Sequence, residues 1–269
     1  MRFGISTYLY GDGRLARTHL VEIAEHGFGT IELVASPDHF DYQDPGVIAT
    51  LGSWLSELGL GLHALHVSGR PPRERDDAGA TYDPTDAIES VLGVARTIPT
   101  EFLIVHLGRA SPTVADGRDP TRRALERLAK VASPLGLRVA VEVDRGDPWT
   151  PESMARLLDD TADGPSLGIC LNLGHAFLAG DVVEAIEVTA EHLVTTHVHD
   201  NHAAKDEHLV PFEGDIEWPA ALMALQKIGY DGTLTFELSN TSTPSRVLDN
   251  AKRARHTFQR MIQTPVVFD

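Results

Sequence analysis

Residues 196–218 hold the densest group of reactive side chains in the chain. Within twelve residues lie His197, His199, Asp200, His202, Asp206 and His208. Imidazole nitrogen and carboxylate oxygen at short spacing are the donors that borderline divalent metals such as zinc and manganese prefer. The cluster therefore predicts a metal site, although a lone histidine is usually an ordinary core or surface residue, and that alternative stays open for His199 and His202.

Eight short β-branched runs, each followed by a longer amphipathic segment, must position this cluster. The predicted strands are Arg2 to Ser6, Thr30 to Val34, Gly61 to Val67, Phe102 to Leu107, Arg138 to Val143, Leu167 to Asn172, Leu193 to Val198 and Thr233 to Leu238. Strand-then-helix repetition indicates a parallel α/β sheet. Eight units in 269 residues predict one domain over residues 1–269, a closed (β/α)8 TIM barrel, whose usual length is ~250 residues.

Four of the helical segments open on a polar residue followed by proline: Asp83-Pro84, Asp119-Pro120, Thr150-Pro151 and Thr243-Pro244. Proline suits the first turn of a helix because its missing N–H has no helical partner there. No GxGxxG fingerprint follows the first strand. The pattern thus favours the barrel over an open dinucleotide-binding sheet.

Active residues of such barrels lie where strands end and loops begin. Six predicted strand ends carry ligand-type residues: His66, His106, Glu142, Asn172 with His175, His197 and Glu237. Buried parallel strands otherwise favour Val, Ile and Leu. Side chains alternate along a strand, so Ile104 and His106, or Ala140 and Glu142, are expected on one face. That face would point into the barrel mouth.

Charge and composition restrict the classes of binding partner that we expect for this chain. The net charge of −16 and the absence of a basic, aromatic groove argue against nucleic acid as a partner. One cysteine, no apolar run of membrane length and no apolar signal core in MRFGISTYLYGDGR lead us to expect a cytoplasmic protein without a membrane anchor. The arginine-rich stretch 68–86 is either a lid for an anionic substrate or a solvated loop. The sequence leaves open whether the chain forms a homo-oligomer.

These residues resemble the xylose isomerase-like TIM barrels, which include endonuclease IV and the sugar and sugar phosphate isomerases and epimerases. The resemblance runs from His66 onward, and DEHLVPFEGDIEW is similar to the family's DxH…GEGxxxW run, with Phe212 in place of glycine. It implies nine metal ligands, with asparagine where the family has aspartate: His66, His106, Glu142, Asn172, His175, His197, Asp206, His208 and Glu237.

The resemblance also implies how these ligands divide among one to three divalent ions, zinc or manganese. One ion would be held by His66, His106 and Glu142. A second would be held by Glu142, Asn172, His197 and Glu237, and a third by His175, Asp206 and His208. Asn172 is either a weak ligand or a hydrogen-bonding residue, and His199 and Asp200 would orient the ligands rather than bind metal.

Two chemistries fit, both on a small-molecule partner. In the first, an isomerase or epimerase of a small sugar or sugar phosphate, Glu142 and Glu237 are the catalytic residues that exchange a proton beside a metal-polarised carbonyl. The second is an endonuclease IV-like phosphoester hydrolase. A barrel that binds metal or sugar without turnover is the third. We expect Glu32, His175 and Trp218 near the substrate, with core packing as the alternative for Trp218 and for Trp149.

Overall fold

The strands of the computed structural model close into a parallel barrel in which each strand pairs with its neighbours in sequence and β8 pairs with β1. The structure describes residues 1–11, 13–67, 84–107, 120–142, 149–161, 166–240 and 242–263. The strands are β1 Arg2–Ser6, β2 Thr30–Val34, β3 Gly61–Val67, β4 Thr100–His106, β5 Arg138–Glu142, β6 Leu167–Asn172, β7 Leu193–Val198 and β8 Thr233–Phe236. The predicted (β/α)8 fold is confirmed.

Five strands have their predicted bounds, and three differ at an end. β4 covers residues 100–106, two residues earlier at its start and one earlier at its end than predicted. β5 ends at Glu142, and position 143 lies outside the described residues. β8 ends at Phe236, so Glu237 follows the strand instead of ending it. The Ser239 amide beyond it donates to the His208 carbonyl, so the chain there joins a loop rather than β1.

The helices of the described residues surround the barrel. They are α1 Arg17–Glu25, α2 Pro45–Leu58, α3 Pro84–Ala95, α4 Pro120–Ala132, α5 Pro151–Asp159, α6 Leu173–Ala179, α7 Val182–Thr189, α8 Trp218–Lys227 and α9 Pro244–Gln263. α3, α4, α5 and α9 begin at the four predicted prolines. At α5 the Thr150 hydroxyl accepts from the Ser153 amide, which satisfies a helix-end donor.

The barrel interior is filled in layers. Ala64, Ile104, Ala140 and Cys170 pack together inside the strands, apart from the large apolar cluster between strands and helices. Two residues further along β3, β4 and β5, the same face carries His66, His106 and Glu142. Apolar packing thus ends one layer below the mouth, where polar side chains begin.

The described helices give no sign of a membrane segment, since none combines the length and apolar character needed to cross a bilayer. Most of the arginine-rich stretch 68–86, including Arg70, Arg73 and Arg75, lies outside the described residues.

Candidate active site

The barrel mouth gathers seven side chains that we call the axial cluster. Their Cα atoms lie on β2 to β7 and directly after β8, and six of the seven residues are buried. The cluster consists of Glu32, His66, His106, Glu142, Asn172, His197 and Glu237. Six were predicted as metal ligands, and the structure brings all six together with Glu32.

Glu142 lies at the centre of the axial cluster and is 1% exposed. Its Oε1 is 3.1 Å from His197 Nδ1, and its Oε2 is 3.3 Å from His66 Nε2 and 3.6 Å from His106 Nε2. Burial raises the pKa of the Glu142 carboxyl, but the imidazoles of His197 and His106 outweigh burial and hold that pKa well below its usual range. Glu142 is therefore an anion at neutral pH.

Glu32 is fully buried beneath the same imidazoles. Its Oε2 is 2.7 Å from His197 Nε2, and its Oε1 is 3.3 Å from His66 Nδ1. Burial raises the pKa of Glu32, and the imidazoles of His197 and His66 lower it well below its usual value. The residue predicted to lie near substrate thus supports the two histidines from below.

Both ring nitrogens of His197 face carboxylates, Nε2 toward Glu32 and Nδ1 toward Glu142. A neutral imidazole has one N–H, so it can donate to only one of them. The second carboxylate contact is favourable only if the ring is protonated or if a cation lies at Nδ1. A metal-binding histidine characteristically bonds a carboxylate through its other nitrogen, as His197 does through Nε2.

Asn172 caps α6 and joins the two predicted catalytic carboxylates. Its Oδ1 accepts from the His175 amide at 3.1 Å, while Nδ2 donates to Glu142 Oε1 at 2.9 Å and to Glu237 Oε2 at 3.2 Å. An amide turned the other way would set Nδ2 against the His175 N–H. The structure therefore uses Asn172 as a hydrogen-bonding residue, one of the two predicted alternatives, with its oxygen directed away from the carboxylates.

A second group, the loop cluster, consists of His175, His199, Asp206 and His208. His175 lies on α6 and the other three lie in the β7–α8 loop. Asp206 Oδ2 is 3.0 Å from His175 Nε2 and 3.1 Å from His208 Nε2, and Oδ1 is 3.8 Å from His199 Nε2. His199 was not predicted as a ligand, whereas the other three were.

The Asp206 carboxylate influences the pKa values of the histidines in the loop cluster. Burial lowers the pKa of His175, but its bond to Asp206 and the Glu142 charge raise that pKa to about 9. Burial raises the pKa of Asp206, whereas its bonds to His175 and His208 hold it well below its ordinary value. Burial, and then the neighbouring His208, keep the pKa of His199 well below its usual value, so its ring is neutral.

Asp200 and Trp218 organise the loop that carries these ligands. Asp200 accepts from the amides of Phe212 and Ile216 and from Trp218 Nε1 at 2.8 Å. The Trp218 ring is 1% exposed and packs edge-on against Phe258 at a centroid distance of 5.2 Å. The observed environment of Trp218 agrees with the packing alternative, and its contact with the substrate stays a prediction. Asp200 likewise supports the loop, and Trp149 is buried in the core.

The donor set fits divalent metal. Glu32, Glu142, Asp206 and Glu237 supply four carboxylates, and every ion pair they make among the described residues is with an imidazole. Groups whose donor atoms lie within 4.8 Å of one another are Glu32, His66, His197 and Glu237; His66, His106 and Glu142; Glu142, Cys170 and His197; and the loop cluster. Nitrogen and oxygen donors at this density suit zinc or manganese.

Three members of these groups were not predicted as metal ligands: Glu32, which was expected near the substrate, Cys170 and His199. His199 follows His197 by two residues but lies beyond the end of β7 at Val198, so alternation along the strand does not determine where its imidazole points. Cys170 lies two residues before Asn172 on β6 and faces the interior, where burial raises the pKa of its thiol to about 12. His202 is exposed and bonds Glu207 at 2.9 Å, which leaves it outside both clusters.

Comparison with protein families identifies the family of the chain. The family model described as the xylose isomerase-like TIM barrel matches residues 20–263. The chain belongs to the xylose isomerase-like TIM barrel family. This confirms the predicted family and extends the resemblance to before His66.

Curated relatives are consistent with this membership. The chain is 30% identical over 255 residues to an uncharacterized protein of Methanocaldococcus jannaschii, covering 89% of this chain and 84% of the relative. It is 26% identical over 242 residues to the ketose 3-epimerase of Arthrobacter globiformis, covering 86% of this chain and 80% of that enzyme.

Solved structures share the fold at lower identity. A D-tagatose 3-epimerase-like protein superposes with a TM-score of 0.77 at 23% identity, covering 97% of this chain and 98% of the other. The IolI protein with a bound zinc atom has a TM-score of 0.79 at 16% identity and 98% and 100% coverage. A D-psicose 3-epimerase determined with D-fructose has a TM-score of 0.77 at 15% identity and the same coverage.

Proposed function

We propose that this family member is a divalent-metal-dependent isomerase or epimerase of a small sugar or sugar phosphate. One observation carries the proposal: Glu142 Oε1 and Glu237 Oε2 both accept hydrogen bonds from a single nitrogen, Asn172 Nδ2, at 2.9 and 3.2 Å. The two carboxylates therefore lie beside the same small polar group. Two carboxyl groups that flank one carbon are what proton exchange between its faces requires.

In the proposed reaction, the carboxylate of Glu142 or Glu237 removes a proton from the carbon beside the substrate carbonyl. The electron pair left on that carbon moves toward the carbonyl oxygen, and the other carboxyl group returns a proton to the opposite face. His197 and the carboxylates would hold a divalent cation, which would polarise the carbonyl and make its neighbouring C–H more acidic. Glu32 keeps the His197 ring oriented throughout by its 2.7 Å contact to Nε2.

The ketose 3-epimerase relative supports the sugar as substrate class. A cavity of about 290 Å³ opens beside the loop cluster, and its lining includes His208, Ser239, Ser242 and Arg246. Its size suits a small molecule, and Arg246 is a donor for a phosphate. Arg246→Ala should therefore raise KM for a sugar phosphate while leaving KM for the free sugar unchanged.

The direct test is solvent exchange. Enzyme loaded with Mn²⁺ or Zn²⁺ is incubated with a panel of ketoses and ketose phosphates in D₂O, and NMR follows deuterium at the carbons beside the carbonyl. Deuterium uptake with formation of the epimer or isomer supports the proposal, and Glu142→Gln should abolish it. Sugar binding without deuterium uptake would instead support the non-catalytic barrel.

A phosphoester hydrolase is the second candidate, because His66, His106 and Glu142 form a metal-type group beside the loop cluster. Several adjacent ions are typical of phosphoester hydrolysis. The net charge of −16 argues against DNA as its substrate, and duplex DNA should bind weakly at physiological salt. Incision of abasic-site DNA at low enzyme concentration would make hydrolysis the function.

A further inference from the structure

The charged residues of α7 and α9 are segregated by sign, and α8 lies between the two helices. Residues 181–191, which include α7, contain no lysine or arginine and carry four acids: Asp181, Glu184, Glu187 and Glu191. α9 contains a single acid, Asp249, and five cations: Arg246, Lys252, Arg253, Arg255 and Arg260. α9 thus reverses, over one helix, the sign of a chain whose net charge is −16. One side of the barrel therefore presents opposite charges on its two flanks.

α8 is linked to both of its neighbours near its last residue. The Lys227 ammonium donates to the Glu187 carboxylate of α7 at 2.7 Å, and the Gln226 amide donates to the Ile262 carbonyl of α9 at 3.3 Å. The three helices run in the same direction, because each follows the mouth end of a parallel strand. The C-terminal ends of α7, α8 and α9 therefore lie at about the same height on the barrel.

The charges on both flanks are exposed near this height. Glu184 and Arg260 precede those contacts by three and two residues, and both side chains are exposed. Arg253, also exposed, lies seven residues before Arg260, which is about two helical turns and therefore the same face of α9. It donates to Asn250, whose Nδ2 donates to Glu213 in the β7–α8 loop at 2.6 Å. These cations therefore lie on the side of α9 that is turned toward α8.

The centre of this surface, by contrast, is apolar. α8 contains no acid and one cation, and the segment before it places Phe212 against Phe258 of α9 at a ring-centroid distance of 5.0 Å. Five large apolar side chains are markedly exposed in the described part of the chain, and three of them belong to this surface: Val188 on α7, Met223 on α8 and Phe212 between α8 and α9. Exposed apolar side chains with charged side chains around them are typical of a protein–protein contact surface.

We propose that α7, α8 and α9 form the interface of a symmetric dimer of this chain, with the two-fold axis parallel to α8. Rotation about this axis places α8 on the partner's α8 and the basic α9 on the partner's acidic α7, so both charge contacts form together. Heights along α8 stay unchanged, so Glu184 lies opposite Arg260 of the partner subunit. A two-fold axis across α8 would instead set α7 against α7, acid against acid. A surface with both charge signs fits a second copy better than a partner of one sign.

The molecular mass of the full-length protein in solution, measured by sedimentation equilibrium, tests this proposal. The wild type should have twice the mass of one chain, and its dimer dissociation constant should rise with NaCl because salt screens the charge contacts. Arg253→Glu with Arg260→Glu, and separately Glu184→Arg with Glu187→Arg, should each raise that constant by at least ~100-fold, since like charges then face each other. An equimolar mixture of the two double variants should restore the dimer, because each reversed helix meets an opposite charge.

The matched control is Arg123→Glu with Arg127→Glu, which reverses two exposed arginines on α4, three strands away from α8, and should retain the dimer. Circular dichroism would confirm that every variant folds. The masses are measured without substrate, so the result does not depend on the proposed function. A wild type with the mass of one chain at every concentration would overturn the proposal and leave this surface to another partner. Unchanged dimers in both reversed variants, or a mixture that stays monomeric, would also overturn it.

Discussion

Both ends of the barrel place histidines beside glutamates, but the cations that pair with those glutamates differ between the two ends. At the amino-terminal floor, Arg2 forms two bonds of 2.7 and 2.8 Å to Glu101, and His63 Nε2 lies 3.0 Å from the Thr195 hydroxyl. At the mouth, the four carboxylates face imidazoles alone among their described ion pairs. A guanidinium is a permanent cation, whereas an imidazole is a cation only when protonated.

This difference explains why the mouth, and not the floor, has a donor set that suits a metal ion. The Glu101 charge is already neutralised by Arg2, whose bond lowers the pKa of Glu101 below its ordinary value. At the mouth, a divalent ion could replace the imidazole protons as the positive charge beside the carboxylates. Each imidazole that loses its proton has a nitrogen lone pair that can bind the ion. Stability of the floor should thus be insensitive to metal, and stability of the mouth should follow metal concentration.

The largest expected effect is on turnover. Glu142→Gln and Glu237→Gln should each lower kcat by about 10²–10⁴-fold, because each removes a group proposed to transfer the proton. Glu101→Gln at the floor is the matched control and should keep wild-type kcat. Circular dichroism would confirm that all three variants fold. Near-wild-type turnover in either mouth variant would remove that glutamate from the catalytic assignment.

Asn172→Asp should have the next largest effect, with a sign that depends on metal. Without metal, a third carboxylate replaces the amide that bonds Glu142 and Glu237, so stability should fall on the order of 3 kcal/mol. With Mn²⁺ or Zn²⁺ the new anionic ligand should bind the ion more tightly, and thermal melts should show a larger metal-induced rise.

The control for this experiment is Asn201→Asp, which alters a buried asparagine that bonds the Gly174 carbonyl instead of carboxylates. It should destabilise the protein equally with and without metal. An unchanged metal response of Asn172→Asp would show that residue 172 cannot be turned into a ligand.

Trp218→Phe tests whether Trp218 packs the loop or contacts the substrate. The change removes the bond to Asp200 and part of the contact with Phe258, so unfolding free energy should fall by about 1–3 kcal/mol. KM at a temperature where the variant is folded should not change. Undiminished stability with a raised KM would instead support the predicted substrate contact.

Glu101→Gln should show the smallest effect, below ~1 kcal/mol at pH 7, because the Arg2–Glu101 pair is about half exposed. The folded-state pKa of Glu101 is lowered, so its contribution is present above the unfolded value of ~4.3 and is lost as pH falls through the folded value. Urea titrations of both proteins should therefore converge in acid. A difference that grows on acidification would contradict the pairing.

Local sequence signals are enough to predict most of the barrel and most of the proposed ligands. The β-branched runs, the proline at the start of α5 and the polar residues at β3, β4 and β5 ends are local signals, and alternation along a strand assigns each its face. Glu142 and His197 could be predicted as neighbours because the carboxyl ends of parallel strands meet at one mouth.

Only the tertiary structure determined which atoms of these residues face one another. Sequence named Asn172 but not which amide atom faces Glu142, since that depends on the His175 N–H at the start of α6. Sequence likewise could not assign the fourth side chain of the loop cluster, because His199 reaches it only where Gly174 leaves room across the mouth. Spacing along a chain determines which groups can meet, and packing between distant segments determines which lone pairs are left to bind.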